Sequence, residues 1–353
     1  RCLSAPLRYS AFLLVWLTIN NIENITMNNT LTIAVTGAAG FLGSQLVKAL
    51  LQRGSLSGPQ GETQEIGRLI AIDRVALQGI DDSRLQVLTG DISDSEWLRS
   101  AIPAQVDSVF HLAAIVSSQA EQDFELGMKI NVDAFRQLLK HLRQLPQSVK
   151  LVTTSSVAVF GGDLPEKVSD SQVWLPQSSY GTQKAICDLL LADYSRRGWL
   201  NGRSLRMPTI VVRPGRPNQA ASSFASGIIR EPLNGEPAVC PVPADTRLWL
   251  LSPRNAIKAL IHGHELAEAQ LTDGRVINLC GLSVSVEQMI AALRQVAGSE
   301  VAQRITFIPD AAIERIVNSW PGDFDTRYAQ RLGFSANHSF SEMIEEYMAD
   351  YLK

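Results

Sequence analysis

Tyr180 and Lys184 stand four residues apart in a stretch with helical spacing, so both side chains should lie on one face of a helix. A phenol ordinarily ionises near pH ~10 and is a poor base at neutral pH, but a nearby ammonium stabilises the phenolate. Ser156, after an upstream strand, could hold a substrate oxygen, with Ser155 assisting. This set predicts proton exchange with a substrate hydroxyl. The alternative is an ordinary helix with an exposed Tyr and Lys, because a Tyr-x-x-x-Lys match alone is common.

A glycine-rich turn lies upstream of this set, after the apolar run 31–36 and before a stretch with helical spacing. At such a turn the backbone can approach a pyrophosphate closely, and the N–H groups that open the helix attract the phosphate charge. A turn without a ligand is the alternative, but the preceding strand and the following helix favour a dinucleotide. The predicted phosphate contacts are Gly37, Gly40, Phe41, Leu42 and Gly43.

Asp73 ends a second apolar run, where a carboxylate can accept hydrogen bonds from the adenosine ribose and would repel a 2′-phosphate. It therefore favours NAD over NADP, although Arg74 follows directly and could instead pair with a phosphate. Asp91 follows a third run and could meet the adenine amino group, or it could cap a helix. The segment 55–66 before Asp73 has the composition of an inserted loop.

Short apolar runs alternate with stretches of helical spacing over the first two thirds of the chain. This alternation is typical of a parallel sheet covered by helices on both faces. Strands are predicted at 31–36, 68–73, 84–88, 106–113, 150–154, 206–212 and 274–279. Helices are predicted at 41–51, 127–144, 180–195, 253–270, 286–296 and 341–352. The sequence thus predicts an α/β fold with a Rossmann-type doubly wound parallel sheet.

After Pro214 the amino-acid composition changes: prolines and glycines become frequent, and predicted strands become sparse. We expect a dinucleotide-binding domain at 27–215 and a smaller C-terminal lobe at 216–353 that mainly binds substrate. Some segments of that lobe should return to the sheet. The chain carries a methionine at position 27, just before the first strand, so residues 1–26 are expected to be a poorly packed upstream extension.

Composition excludes several classes of function. The chain has 353 residues and a formal net charge of -3 with no long Lys/Arg run, so no nucleic-acid footprint is visible. The apolar run 11–19 is too short to span a bilayer as a helix. The four cysteines are far apart and lack metal-ligand spacing, which fits free thiols in a reducing compartment. We therefore expect a cytoplasmic protein that has no metal site and binds neither nucleic acid nor a membrane.

The order of these motifs resembles the extended short-chain dehydrogenase/reductase superfamily, which includes sugar-nucleotide epimerases and dehydratases. The resemblance runs from about residue 31 to the C-terminus and implies NAD as cofactor. It implies that Ser156, Tyr180 and Lys184 form a catalytic triad. It also implies that Asn131 supports the active-site helix and a proton-relay water, and that the protein forms a homodimer. Further cofactor contacts are implied for Ile92, Ala113, Tyr180, Lys184 and Pro214.

The segments 208–215 and 220–233 are similar to a narrower group of that superfamily, the dehydrogenases of four-carbon sugar acids such as D-erythronate. That resemblance implies hydride transfer from C2 of a sugar acid to NAD, with Tyr180 as the base. A nucleotide-sugar epimerase or dehydratase is the alternative, but an N-x-Y-G-P segment usual in epimerases is replaced here at 216–220. A regulator that senses the cofactor without turnover is a third alternative; such relatives typically lack the Tyr or the Lys.

An acid substrate favours a paired arginine, which can hold a carboxylate through two hydrogen bonds. Three arginines in the second half are candidates, each with the alternative of a surface or structural role. Ser117 has the most favourable position for a sugar hydroxyl, in the loop after the fourth strand, where open α/β sheets bind ligands. The candidate substrate contacts are Ser117, Ser156, Asn218, Ser223, Ser226, Arg230, Arg247 and Arg254.

Overall fold

The computed structural model describes residues 30–215, 221–272 and 274–352, so the predicted extension at 1–26 lies outside the described residues. The strands in this part are β1 (Thr30–Thr36), β2 (Ser55–Ser57), β3 (Thr63–Asp73), β4 (Leu85–Thr89), β5 (Ser108–His111), β6 (Lys150–Ser156), β7 (Asn201–Met207), β8 (Thr209–Ile210), β9 (Ala238–Cys240), β10 (Arg247–Leu251), β11 (Val276–Asn278), β12 (Leu282–Ser285) and β13 (Ile305–Phe307). The α-helices are α1 (Phe41–Arg53), α2 (Ser95–Ala101), α3 (Ser117–Gln122), α4 (Phe124–Gly127), α5 (Ala134–Leu142), α6 (Ser179–Arg196), α7 (Ser223–Leu233), α8 (Pro253–Glu265), α9 (Val286–Ala297), α10 (Ser299–Ala302), α11 (Ala311–Asn318), α12 (Arg327–Arg331) and α13 (Phe340–Tyr351).

The main sheet, as far as the structure describes it, has eight strands in the order β11-β7-β6-β5-β1-β3-β2, with β4 paired to the second half of β3. Its pairs are parallel except that of β2 with β3. The register aligns Thr36 of β1 with His111 of β5, and His111 with Thr153 of β6. The prediction of a Rossmann-type doubly wound parallel sheet is therefore confirmed.

The two faces of the sheet are both buried, because neighbouring side chains of each strand point to opposite sides. In β1, Ile33 and Val35 pack with α1 and α8, whereas Ala34 packs on the face covered by α2, α5 and α6. This two-sided burial explains why the middle of β1, from Ile33 to Val35, is a continuous apolar run rather than an alternation of polar and apolar residues.

Three local predictions differ from the structure. The segment 55–66 is not a loop, because β2 and the first half of β3 form an antiparallel hairpin. The predicted strand 206–212 is interrupted at Pro208, which has no N–H to continue a ladder; β7 ends at Met207, and β8 pairs with β10 in another sheet. The predicted helix 127–144 contains a π-helical turn at Met128–Asp133 before α5.

The C-terminal part has its own core. It contains a three-stranded sheet in the order β12-β10-β8 and a pair of β13 with β9, both within the described residues. Helices α7, α9 and α13 pack there around apolar side chains such as Ile228, Leu250, Met289 and Ile344. Strand β11 instead lies at the edge of the main sheet, beside β7. Among the helices described, none is both long and apolar enough to cross a membrane.

Candidate active site

The carboxyl ends of β1, β5 and β6 meet at one edge of the main sheet, because these strands are parallel and in register. The glycine turn follows β1, the segment that leads to Ser117 at the start of α3 follows β5, and Ser156 ends β6. Ligands of open parallel sheets bind beyond this edge. The fold therefore brings three of the predicted site segments to the same edge.

The glycine turn is built to approach a ligand closely. Gly37 has a φ of 73°, which favours glycine, and a Cβ there would come within 2.6 Å of the main-chain nitrogen of Ala113. The exposed Gly40 precedes α1, which has neither a side-chain cap nor an acidic residue in its first turn. The N–H groups that open α1 are thus left for an anion and fit the pyrophosphate of a dinucleotide. The N–H groups in question belong to Phe41, Leu42 and Gly43, the first three residues of α1.

Asp73 lies directly beside this turn. One carboxylate oxygen accepts a hydrogen bond of 3.0 Å from Ala39 N, and the other accepts one of 3.2 Å from Val75 N. Each oxygen keeps a free lone pair that a ribose hydroxyl could use, because a carboxylate oxygen accepts more than one hydrogen bond. Arg74 is exposed. The ribose contact of Asp73 remains a prediction that this position supports.

Asp91 does not cap a helix, so that alternative was wrong. Its carboxylate accepts a hydrogen bond of 2.8 Å from Ser93 N, whereas Asp94 caps α2. Burial would raise the pKa of Asp91, but the hydrogen bonds from Ser93, together with the charges of Lys129 and Arg74, hold the pKa below its ordinary value. Asp91 is therefore a charged acceptor after β4, next to the buried Ile92. An adenine contact of Asp91 and a cofactor contact of Ile92 stay predictions.

Helix α6 positions Tyr180 and Lys184. Ser178 caps it by accepting a hydrogen bond of 3.1 Å from Gly181 N, so the helix begins just before Tyr180. The Lys184 ammonium lies 5.6 Å from the centre of the Tyr180 ring and donates a hydrogen bond of 2.8 Å to Thr154 O in β6. Tyr180 is half-buried and Lys184 is buried, so the charge acts in a partly desolvated place. This arrangement can stabilise a phenolate.

Ser156 lies where β6 meets the first turns of α6. Its hydroxyl oxygen accepts a hydrogen bond of 3.1 Å from Ala158 N. A Cβ on Gly181 would collide with Ala158 O, which means that α6 packs directly on the turn after β6. Glycine at 181 thus permits the close approach that brings Ser156 toward the end of the helix that carries Tyr180.

Asn131 is a buried link between two parts of the site. In the π-helical turn, its carboxamide oxygen accepts a hydrogen bond of 2.8 Å from Ile115 N, and its nitrogen donates one of 2.7 Å to Gln183 Oε1. Gln183 lies next to Lys184 in α6 and is fully buried. The implied support of the active-site helix is therefore visible in these bonds, whereas the relay water stays a prediction. The Cys187 thiol donates a hydrogen bond of 3.1 Å to the main-chain carbonyl oxygen of Asn131.

Asp188 was not expected from the sequence. It lies one turn after Lys184 and accepts hydrogen bonds of 3.0 Å from both Ser155 Oγ and Arg206 Nε. The Asp188 and Arg206 side chains are each 1% exposed. Burial lowers the pKa of Arg206, and Asp188 opposes this effect. Ser155 was expected to assist at the substrate oxygen, but its hydroxyl is turned to Asp188 instead.

Two of the expected arginine clamps have other partners. Arg254 is exposed and forms a two-fold ion pair with Asp350 in α13, so it is not brought to the Tyr180 cluster. Arg230 is buried, but it donates hydrogen bonds to Arg213 O at 2.7 Å and to Glu231 at 2.6 Å. Each guanidinium already has an acceptor within the protein, so the structure gives no support to either clamp prediction.

The other expected substrate contacts are placed as follows. Ser117 is half-buried at the start of α3, and Ser223 is half-buried at the start of α7. Ser226 is buried and accepts a hydrogen bond from Arg213 N, whereas Arg247 is exposed beside Ser283. Asn218 lies outside the described residues.

Arg213 is the charged residue that the sequence reasoning missed. It follows β8 and is half-buried beside Pro214. Burial and the positive charge of Arg230 lower its pKa, and the attraction of Tyr180 opposes them, so the guanidinium lies within electrostatic reach of the phenol. The only feature of the sequence that could have pointed to Arg213 was its place in the run 208–215. Nothing local in the sequence says that this segment leaves the main sheet and turns toward α6.

Comparison with known proteins adds the family. A model described as "NAD dependent epimerase/dehydratase family" matches residues 33–273. The chain belongs to this family. Proteins called D-erythronate dehydrogenase are 55% identical over 91% of this chain and 98% of the relative in Cupriavidus necator, and 43% identical over 90% and 98% in Haemophilus influenzae.

A solved structure entitled "nucleoside-diphosphate-sugar epimerase" from Agrobacterium tumefaciens is 41% identical, with a TM-score of 0.85 over 92% of this chain and 95% of that one. As a member of the NAD-dependent epimerase/dehydratase family, the protein uses NAD, and the predicted cofactor is confirmed. The glycine turn, the uncapped start of α1 and Asp73 fit that cofactor.

Proposed function

We propose that this protein oxidises the C2 hydroxyl of a four-carbon sugar acid with NAD, D-erythronate being the first substrate to test. The observation that carries the proposal is the identity of 55% and 43% to two curated D-erythronate dehydrogenases over nearly the whole chain. The Tyr180–Lys184 pair on one face of α6 supports it, because alcohol oxidation needs a base for the hydroxyl proton.

The proposed chemistry removes a proton and a hydride from one carbon centre. Tyr180, as phenolate, accepts the proton of the C2 hydroxyl, and the charge of Lys184 stabilises the phenolate before that transfer. Ser156 donates a hydrogen bond to the same oxygen and holds it in position while C2–O becomes a carbonyl. NAD, when bound, accepts the hydride from C2. The products are the 2-oxo acid, a neutral tyrosine and the reduced cofactor.

A second candidate has an observation of its own. The Agrobacterium tumefaciens protein at 41% identity is entitled a nucleoside-diphosphate-sugar epimerase. An epimerase restores its cofactor in each cycle, so it releases no net NADH. The two candidates therefore differ in a quantity that can be measured directly.

The test uses purified protein, NAD, a panel of C4 to C6 aldonic acids and, separately, UDP-sugars. NADH absorbance that rises with D-erythronate supports the dehydrogenase. A changed UDP-sugar without NADH supports the epimerase and contradicts our proposal. The variant Tyr180→Phe should lose activity by roughly 100- to 10,000-fold, the usual contribution of a positioned base. NAD should still bind to it.

Tyr194→Phe is a matched control, since it removes a phenolic hydroxyl from the same helix near its other end. It should keep its activity. If Tyr180→Phe turned over D-erythronate at the native rate, the role of Tyr180 as base would be refuted.

A further inference from the structure

Arg213 differs from Arg206 and Arg230 in its partners. Arg206 pairs with Asp188 at 3.0 Å and Arg230 with Glu231 at 2.6 Å. Within residues 30–215, 221–272 and 274–352, no carboxylate forms an ion pair with Arg213; its guanidinium donates a hydrogen bond of 3.1 Å to the neutral Ser222 hydroxyl. A half-buried cation without a counterion carries a desolvation cost, and an anion from outside the chain would offset that cost.

Helix α7 holds Arg213 in place. The Arg213 N–H donates a hydrogen bond of 3.1 Å to Ser226 Oγ, and its carbonyl oxygen accepts one of 2.7 Å from Arg230 Nη1. Arg230 in turn is neutralised by Glu231. Both main-chain groups of Arg213 are therefore fixed by one helix, and the neighbouring charge that would compete for an anion already has its partner.

The position of Arg213 relative to Tyr180 matters for the substrate. The ionised phenol of Tyr180 contributes to the pKa of Arg213, so the two side chains lie within the range of electrostatic interaction. In a 2-hydroxy acid the carboxylate and the reacting hydroxyl are on adjacent carbons. A cation that binds the first must therefore lie beside the base that deprotonates the second. Arg213 interacts electrostatically with Tyr180, whereas the exposed Arg254 is paired with Asp350 in α13.

We propose that Arg213 anchors the substrate carboxylate, so that its planar guanidinium forms two parallel hydrogen bonds while the adjacent C2 hydroxyl reaches Tyr180. This inference deepens the proposed function and rests on it for the reaction. It assigns the carboxylate contact to Arg213 in place of Arg230 and Arg254, and it makes Arg230 a positioning residue that acts through the Arg213 carbonyl.

The kinetic test compares Arg213→Met, which removes the charge, with Arg213→Lys, which keeps the charge but not the planar fork. The KM for D-erythronate should rise on the order of 10- to 100-fold in Arg213→Met, as expected for charge-assisted hydrogen bonds, with a smaller change in kcat. Arg213→Lys should fall between this variant and the native protein. Arg294→Gln, an exposed arginine of α9, is the control. Equal KM values in Arg213→Met and the native protein would overturn the assignment.

A binding measurement separates this inference from the proposed reaction. The probe is 3,4-dihydroxybutanoate, which has a carboxylate but no C2 hydroxyl and so cannot be oxidised there, titrated by calorimetry into the protein with NADH. The native protein and Arg294→Gln should bind it, Arg213→Met should bind it at least ~10-fold more weakly, and neutral 1,2,4-butanetriol should not distinguish the proteins. Binding lost in Arg213→Met supports the anchor even if no sugar acid is turned over. The anchor is refuted if the native protein does not bind the probe, or if the native protein and Arg213→Met bind it equally well.

Discussion

Arg206 and Arg213 lie close together in the sequence but in different parts of the molecule. Arg206, in β7, is fully buried, pairs with Asp188 and stacks 3.9 Å from the Trp174 ring. Arg213, after β8, is half-buried and has a neutral hydroxyl as its acceptor among the described residues. The first arginine has its counterion inside the protein, whereas the second is left to bind one from outside.

The comparison teaches what a buried charge does in each place. Asp188 joins α6 to β6 and β7 through Ser155, Ser204 and Arg206, so this pair holds α6, which carries Lys184, against the strand that ends at Ser156. A satisfied ion pair of this kind contributes structure and offers nothing to a ligand. A guanidinium without an internal acid contributes little structure and can select an anionic substrate.

Breaking the satisfied pair should have the largest effect on stability. Asp188→Ala leaves the Arg206 charge buried without a counterion, which typically costs about 3–5 kcal/mol. We expect a loss of this size in the free energy of unfolding, measured with urea. Arg213→Met should cost much less, because only the neutral Ser222 hydroxyl loses a partner and no charge is left buried alone.

The double variant Asp188→Leu, Arg206→Met tests the cause. Removing both charges should recover part of the loss, since a buried pair replaced by apolar residues is often nearly neutral. The hydroxyls of Ser155 and Ser204, which lose their acceptor, account for the rest. A double variant no more stable than Asp188→Ala would show that the stranded charge is not what destabilises it.

Buried histidines sharpen the comparison, because burial favours the neutral form of a side chain that can lose its proton. Burial lowers the pKa of His111 to about 3, with a contribution from Lys184, and burial lowers that of His264 to about 4. The unfolded chain binds these protons below pH ~6.5, so the stability they contribute is present above that pH and is lost as the pH falls. Each histidine should cost roughly 2 kcal/mol between pH 6.5 and pH 5.

The variant His264→Gln should show a shallower fall in unfolding free energy over this range, because one titrating group is removed. His338→Gln, which removes an exposed histidine, should follow the native curve. Identical slopes in all three proteins would contradict the neutral state of buried His264.

Local spacing was sufficient to predict the parts of the site that one segment determines. The glycine turn, the acid that ends β3, and the Tyr180–Lys184 face of α6 each depend on residues within a few positions of one another. The strand-helix alternation likewise predicted the sheet, because strands buried on both faces are continuous apolar runs.

What sequence reasoning missed depends on contacts between distant segments. Pro208 is visible as a breaker, but the new partner of β8 is β10, some forty residues later. The partners of Asp188, Arg230 and Arg213 lie on other elements, so the sequence could not say which arginine would have an internal acid. The choice of Arg254 as a clamp could not take account of its acid for this reason, since Asp350 lies near the C-terminus.

Removing that acid gives the smallest expected effect and completes the comparison. Asp350→Asn breaks an exposed pair, and exposed pairs contribute only about 0–1 kcal/mol, so the unfolding free energy should change within that range. It also frees the Arg254 guanidinium for any anion it could reach. If the carboxylate is bound by Arg213, the KM for D-erythronate stays at its native value. A KM that falls in Asp350→Asn would mean that Arg254 does contact the substrate, and would return the clamp to the residue that the sequence favoured.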